Sequence, residues 1–193
     1  MAVAAVVFDV GETLVDETGM WERAADAAGV PRFTLMGVLG GLAAREQHHD
    51  DAWRILGVDH PASAWEPADF YGDALSCFER LRADGFRVAA AGNTPASTEE
   101  LLEPYVEVVG SSQRWGVAKP APGFFTRLRD ELDLPARGIA YVGDRVDNDV
   151  RPTLAAGMVA VHIRRGPWGH LHEPPPGAIR IRTLDELPEA LDG

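Results

Sequence analysis

The chain has 193 residues, the size of one domain or of one domain carrying an insertion. Against 18 Lys and Arg stand 30 Asp and Glu, and the net charge of −12 argues against a nucleic-acid or anionic-membrane partner. Apolar residues make up 46%, too many for general disorder, and the single cysteine, Cys77, permits no internal disulfide.

The opening run, residues 1–8, is too short to span a bilayer, has no basic start and ends at Asp9, so it does not read as a signal peptide. The expected location is the cytoplasm. Residues 3–8 are apolar on both faces and read as a buried first strand ending in Asp9. The next strand, 86–91, lies too far along the chain for a single crossover. Residues 16–69, with Trp21, Trp53, Trp65 and several alanine-rich stretches, are therefore expected to form an inserted helical subdomain. A helix near 70–83 feeds strand 86–91, which runs into Gly92, Asn93 and Thr94. Pro95 fits the first position of a helix with Thr94 as its cap, while Ser97 and Glu100 form a competing capping box. A helix at 99–105, a weaker strand at 106–109, a helix at 122–132 and a strand at 139–142 follow. That strand ends in Gly143-Asp144, ahead of a helix at 149–156 and a weaker strand at 158–163. Residues 172–177, with three prolines in a row, form a rigid loop. The alternation predicts an α/β fold, a Rossmann-like three-layer core with a mainly parallel sheet plus a small all-α insertion. Ligands of such sheets bind outside the carboxyl ends of the strands, where these polar residues fall.

Asp9 can serve there as a nucleophile, a metal ligand or the cap of a turn. Residues 143–149 gather Asp144, Asp147 and Asp149 at the end of another strand. Clustered carboxylates repel, and an oxygen-only set of this kind suits Mg²⁺. Asp147 reads as an acid favouring a helix N-terminus; Asp144 and Asp149 read as metal ligands, because Asp9 ends a strand of the same sheet. Lys119 is the only lysine beside 17 arginines. A compact ammonium suits a phosphoryl oxygen or a carboxylate nucleophile, although one residue under a strong preference for Arg is also compatible with chance.

Together these residues resemble the haloacid dehalogenase superfamily over the whole chain except the insertion. Phe8-Asp9-Val10-Gly11-Glu12-Thr13-Leu14 is similar to the family's first motif and Gly92-Asn93-Thr94 falls at the second. Lys119-Pro120 falls at the third, Gly143-Asp144 through Asp149 at the acidic fourth, and Ala156-Gly157-Met158 also fits. The resemblance implies a core of residues 1–15 and 70–193 and a helical cap of residues 16–69. It implies that Asp9 attacks phosphorus and forms an aspartyl-phosphate, and that Asp9, the Gly11 carbonyl, Asp144 and Asp149 hold Mg²⁺. It further implies that Lys119 stabilises the nucleophile and that Gly92, Asn93 and Thr94 lie against the phosphate of a small phosphorylated metabolite.

Two positions depart from the pattern. Family phosphatases carry a second Asp two residues after the nucleophile, which protonates the leaving group; here that position is Gly11. Where the family places Ser or Thr, this chain has Gly92, with Asn93 or Thr94 as candidates to compensate. Three functions follow: a Mg²⁺-dependent phosphatase with weakened acid–base catalysis, a non-catalytic binding or regulatory protein, or a 2-haloacid dehalogenase, whose chemistry needs no leaving-group acid. His48 and His49 are candidate substitute acids, against a solvated helix face. Arg23, Arg45 and Arg54 are candidate substrate contacts from the insertion, and Arg164-Arg165 a candidate anion site, against an ordinary surface pair. His170 and His172 carry a weak metal reading. Trp53 and Trp65 read as core of the insertion, and Cys77 has no chemistry assigned. Substrate identity and oligomeric state are left open.

Overall fold

The computed structural model describes residues 2–192. Six strands form one sheet: β1 (Ala5–Phe8), β2 (Arg87–Gly92), β3 (Val108–Ser111), β4 (Ile139–Gly143), β5 (Val159–Ile163) and β6 (Ile179–Ile181). Their order is β3-β2-β1-β4-β5-β6 and every pairing is parallel. After β1 come helices α1 (Thr18–Ala27), α2 (Arg32–Ala43), α3 (Asp51–Leu56) and α4 (Ala74–Ala83). The others are α5 (Ser97–Leu102), α6 (Ser112–Trp115), α7 (Pro122–Leu132), α8 (Arg151–Ala155), α9 (Gly166–Leu171) and α10 (Leu187–Asp192).

The strands are buried on both faces because successive side chains leave in opposite directions and helices cover each side. Val6, Phe8, Val88, Ala90, Ala140 and Val142 meet Cys77, Phe78 and Leu81 of α4. Ala5, Val7, Ala89, Ala91, Ile139 and Tyr141 meet Phe124, Phe125 and Leu128 of α7. This is the three-layer α/β architecture that the alternation predicted. Cys77 is buried inside α4, where desolvation pushes its thiol up to about 12.

Helices α1 to α3 carry an apolar cluster of their own, built on Met20, Trp21, Leu35, Leu39, Leu42 and Trp53. Trp65 packs against this cluster and against the α4 side of the sheet. Arg23, expected at the substrate, instead pairs with Asp69 at 2.7 Å. Arg54 pairs with its helix neighbour Asp51 and Arg45 is exposed, so none of the three points into the site described below.

The short helices α6, α9 and α10 have no counterpart in the sequence reading, and three further elements differ from it. β6 was not anticipated, since three residues with an exposed Arg180 at the sheet edge give too little apolar pattern to recognise. At α5 neither proposed cap forms: the N-cap is Ala96, whose N–H donates to Gln113 Oε1 at 2.7 Å. No side chain caps the helix, and the Thr94 carbonyl accepts from Gln113 N–H at 3.3 Å. The helix expected at 149–156 is divided. Val146–Val150 form a π turn that leads into α8 with Pro152 in its first turn. Such turns often occur where a side chain must be aimed, and this one contains Asp149.

Candidate active site

Phe8 stands in register with Ala90 of β2 and Val142 of β4. The chain therefore leaves three adjacent strands at one edge of the sheet, carrying Asp9, the 92–94 turn and Asp144 with it. Lys119 comes from the loop between α6 and α7, and Asp149 from the π turn. Asp9, Asp144 and Asp149 are buried, and each offers a carboxylate oxygen within 4.8 Å of the others. Lys119 Nζ lies 2.6 Å from Asp9 Oδ1 and 2.6 Å from Asp149 Oδ1. Asp149 Oδ2 also accepts the Arg145 N–H at 2.9 Å.

Local packing explains the neighbours of these groups. A Cβ on Gly143 would stand 2.6 Å from Asp149 Cβ, so only glycine lets the Asp149 carboxylate fold back over β4. Gly143→Ala is accordingly expected to displace Asp149 and destabilise the fold by about 1–3 kcal/mol, read as a lower melting temperature and a weakened Mg²⁺-induced rise. A Cβ on Gly92 would stand 2.7 Å from Asp9 Oδ1, and Thr94 Cγ2 already fills the space beside it. A serine at 92 is therefore incompatible with Asp9 as it stands here. Asn93 is committed elsewhere: its Nδ2 donates to the Lys119 carbonyl at 2.9 Å and its Oδ1 accepts the Lys119 N–H at 2.7 Å. It anchors the loop that presents the ammonium. Thr94 is buried and lines the cavity with Asp9 and Lys119.

Three carboxylates against one ammonium leave an excess of negative charge in a buried place. Burial, with Asp149 and Asp9 beside it, drives the Asp144 carboxyl well above the ordinary range. Burial also raises Asp149, and although Lys119 pulls it back it stands at about 6. Burial alone would depress Lys119, but Asp149 and Asp9 outweigh it and hold the ammonium well above its usual value. All of the acidic donors are oxygens, the set a hard divalent cation takes. A consequence is measurable in metal-free protein. The folded state keeps a proton on Asp149 up to about pH 6, whereas the unfolded chain releases it near 3.8. The native state thus binds more protons between those values, and this group makes stability fall as pH rises through that window. In EDTA the melting temperature is expected to be several degrees lower at about pH 7.5 than at about pH 5, with the gap narrowed in Asp149→Asn and by saturating Mg²⁺.

The acidic group opens into a cavity of about 570 Å³, also lined by Gly11, Glu12, Glu17, Trp21, His48, His49, Trp65, Arg145 and Trp168. Glu12 has both oxygens engaged, Oε2 by the Tyr71 hydroxyl at 2.6 Å and Oε1 by the Glu17 N–H at 3.1 Å. His48 and His49 lie in the turn before α3 and face the cavity instead of occupying a solvated helix. Burial and the neighbouring His48 push His49 down to about 4, so its ring is neutral at pH 7 and lacks the acidic second proton of an imidazolium. Arg145 pairs with Asp147 at 2.7 Å and stacks over Trp168, 4.8 Å from its ring. Arg165 is structural: it holds the Thr13 carbonyl at 2.9 Å, pairs with Asp73 and stacks on Tyr71. His172 donates its Nε2–H to the Ala43 carbonyl, 2.6 Å away, and neither it nor His170 belongs to a metal-ligating group among the described residues.

Glu17 is the residue that sequence reasoning passed over. Its Oε2 accepts the Trp21 Nε1–H at 3.1 Å, an i, i+4 contact from the N-cap of α1 to its first turn. Burial, with the Glu12 carboxylate next, pushes its carboxyl up to about 8. The spacing Glu17 to Trp21 was its one visible signal, and nothing in the sequence tied it to Asp9.

Comparison with known proteins gives the family. The profile of haloacid dehalogenase-like hydrolases matches residues 3–157. The chain belongs to that family. This haloacid dehalogenase-like hydrolase is 27% identical to a glyceraldehyde 3-phosphate phosphatase of Methanopyrus kandleri, over 98% of this chain and 96% of that one. It is 30% identical over 123 residues to the protein of the same name from Methanocaldococcus jannaschii, covering 61% of this chain and 54% of that one. The match therefore spans about half the length of the latter relative. Among solved structures, a phosphatase of the family from Thermococcus onnurineus superposes with a TM-score of 0.68 at 22% identity, over 99% of both chains. L-2-haloacid dehalogenases share the fold as well, so likeness to these structures shows the fold alone. Among the described residues no helix is long and apolar enough to cross a membrane.

Proposed function

We propose that this hydrolase cleaves phosphomonoesters of small metabolites, with Asp9 as the nucleophile and a Mg²⁺ ion held by Asp9, Asp144 and Asp149. The observation that carries the reading is the meeting of those three carboxylates and the Lys119 ammonium at the carboxyl ends of β1 and β4. Mg²⁺ bound there would offset the charge of the phosphoryl oxygens as they approach a carboxylate. Lys119 orients Asp9 through its Oδ1, leaving the other carboxylate oxygen to attack phosphorus and form an aspartyl-phosphate. Thr94, which lines the cavity beside Asp9, would offer its hydroxyl to a phosphoryl oxygen, and Asn93 keeps Lys119 in place. Residues 16–69 act as the cap: Trp21, His48 and His49 face the nucleophile across the cavity and select the organic part of the substrate. The cavity suits a metabolite of a few carbons with one phosphate, in keeping with the phosphatases named among its relatives.

Displacement of halide from carbon would need the Asp9 carboxylate without this excess of acidic donors, so the phosphatase is the better fit. The deciding experiment incubates the protein with p-nitrophenyl phosphate, a panel of small phosphomonoesters and 2-haloacids, each with Mg²⁺ or EDTA. Phosphate release that requires Mg²⁺, with no halide release, is expected. Halide release in EDTA, or no turnover of any phosphomonoester with Mg²⁺, would refute the reading.

A further inference from the structure

A carboxylate that displaces an alcohol from phosphorus needs a partner group. The departing oxygen must gain a proton, and the water that later frees the enzyme must lose one. Most groups around Asp9 are already committed. Glu12 accepts two hydrogen bonds, from Tyr71 and from the Glu17 N–H. Asp149 is tied to Lys119 and to the Arg145 N–H, and Asp144 belongs to the same acidic trio. Gly11 brings no side chain, but its empty side is filled. A Cβ built on Gly11 would overlap Glu17 Oε1 and stand 2.8 Å from Glu17 Cδ. Trp21 Nε1–H fixes the other oxygen, Oε2, at 3.1 Å, so Oε1 is the one turned toward position 11.

We propose that Glu17 is a catalytic residue, the proton-carrying carboxyl group of this active site, standing in the volume that a side chain at position 11 would occupy. The proposal rests on the phosphomonoesterase reading above and adds a residue to it. In the first half-reaction an Asp9 oxygen bonds to phosphorus while the ester P–O bond breaks, and the Glu17 O–H passes its proton to the departing oxygen. The products are the free alcohol, the aspartyl-phosphate and a Glu17 carboxylate. In the second, a water oxygen bonds to phosphorus while the bond between phosphorus and the Asp9 oxygen breaks, and the Glu17 carboxylate takes the water's proton. Inorganic phosphate leaves and both side chains return to their starting forms. The glycine at 11 and the glutamate at 17 are in this view one exchange: the carboxyl group moved from the loop after β1 to the N-cap position of α1. Because Glu17 lies in the segment proposed as the cap, catalysis would depend on how that segment sits over the core.

The test follows pre-steady-state product release for wild type and Glu17→Gln with Mg²⁺, using p-nitrophenyl phosphate and an alkyl phosphate such as glycerol phosphate. The p-nitrophenolate ion departs without a proton, so Glu17→Gln should still release it in a rapid burst of about one equivalent, followed by turnover slowed about 10²-fold or more. With the alkyl phosphate no burst is expected, and the first turnover should itself slow by about 10²- to 10⁴-fold. A merely structural role would slow first turnover equally for both substrates, and that result overturns the proposal. A second pair of variants guards against misfolding. Gly11→Asp alone should be impaired because its side chain collides with Glu17, whereas Gly11→Asp in a Glu17→Ala background should recover at least tenfold over Glu17→Ala. Failure of that recovery in a folded double variant also counts against the proposal. Wild type that turns over neither substrate removes the phosphomonoesterase reading itself, and this inference with it.

Discussion

Asp9→Asn is expected to lower Mg²⁺-dependent turnover of p-nitrophenyl phosphate by about 10⁴-fold or more, since a covalent nucleophile has no substitute in the site. The amide keeps the shape of the carboxylate, and its oxygen can still accept from Lys119 Nζ, which stands 2.6 Å from Oδ1. The fold should therefore survive. Stability in EDTA is expected to be unchanged or slightly higher, because one of three crowded carboxylates has lost its charge while Lys119 keeps Asp149 as a partner. The rise in melting temperature on adding Mg²⁺ should shrink for the same reason. The informative combination is a folded variant that binds Mg²⁺ more weakly and releases no p-nitrophenol. A variant retaining a tenth or more of wild-type turnover would take the nucleophile's role away from Asp9.

Much of this site was legible because strand ends and glycines are local signals. Three apolar runs, each stopped by a polar residue, were enough to place Asp9, Gly92 and Asp144 at one edge of a parallel sheet. Register then brings them together whatever the intervening loops do. The acidic run 143–149 declared its chemistry through repulsion, although its π turn was invisible because helix and π turn share one residue pattern. What could not be read is side-chain commitment across the fold. Asn93 and Thr94 look equivalent as polar residues of one turn, yet Asn93 is consumed by the backbone of Lys119, 26 residues away. Arg23, Arg45 and Arg54 have the charge a phosphate wants, but two of them are paired within the helical segment and the third is exposed. Glu17 was hidden for the converse reason. It is an ordinary acid at the start of a helix, and only the packing of α1 against the loop after β1 brings it to Gly11.

Lys119→Met is expected to give the largest combined loss of activity and stability. The ammonium is buried against two carboxylates, with the Tyr141 ring 5.3 Å away. Methionine fills similar volume but leaves Asp9 and Asp149 facing Asp144 with no positive charge between them. Removing one member of a buried ion cluster typically costs about 3–5 kcal/mol, which in a chain of this size lowers the melting temperature by roughly 10 °C. Mg²⁺ should restore part of that stability by replacing the lost charge. It should not restore turnover, expected to remain down by about 10³-fold, because the group that orients the nucleophile is gone. Lys119→Arg separates charge from shape. The chain uses arginine at its 17 other basic positions, so a residue able to do this work as an arginine would be expected to be one. A planar guanidinium needs more room than the space between Asp9, Asp149 and the Tyr141 ring provides. The arginine variant is thus expected to keep more stability than the methionine variant in EDTA and yet to be nearly as inactive. If it were instead fully active, the site would require only a positive charge, and the lone lysine would be an accident of composition.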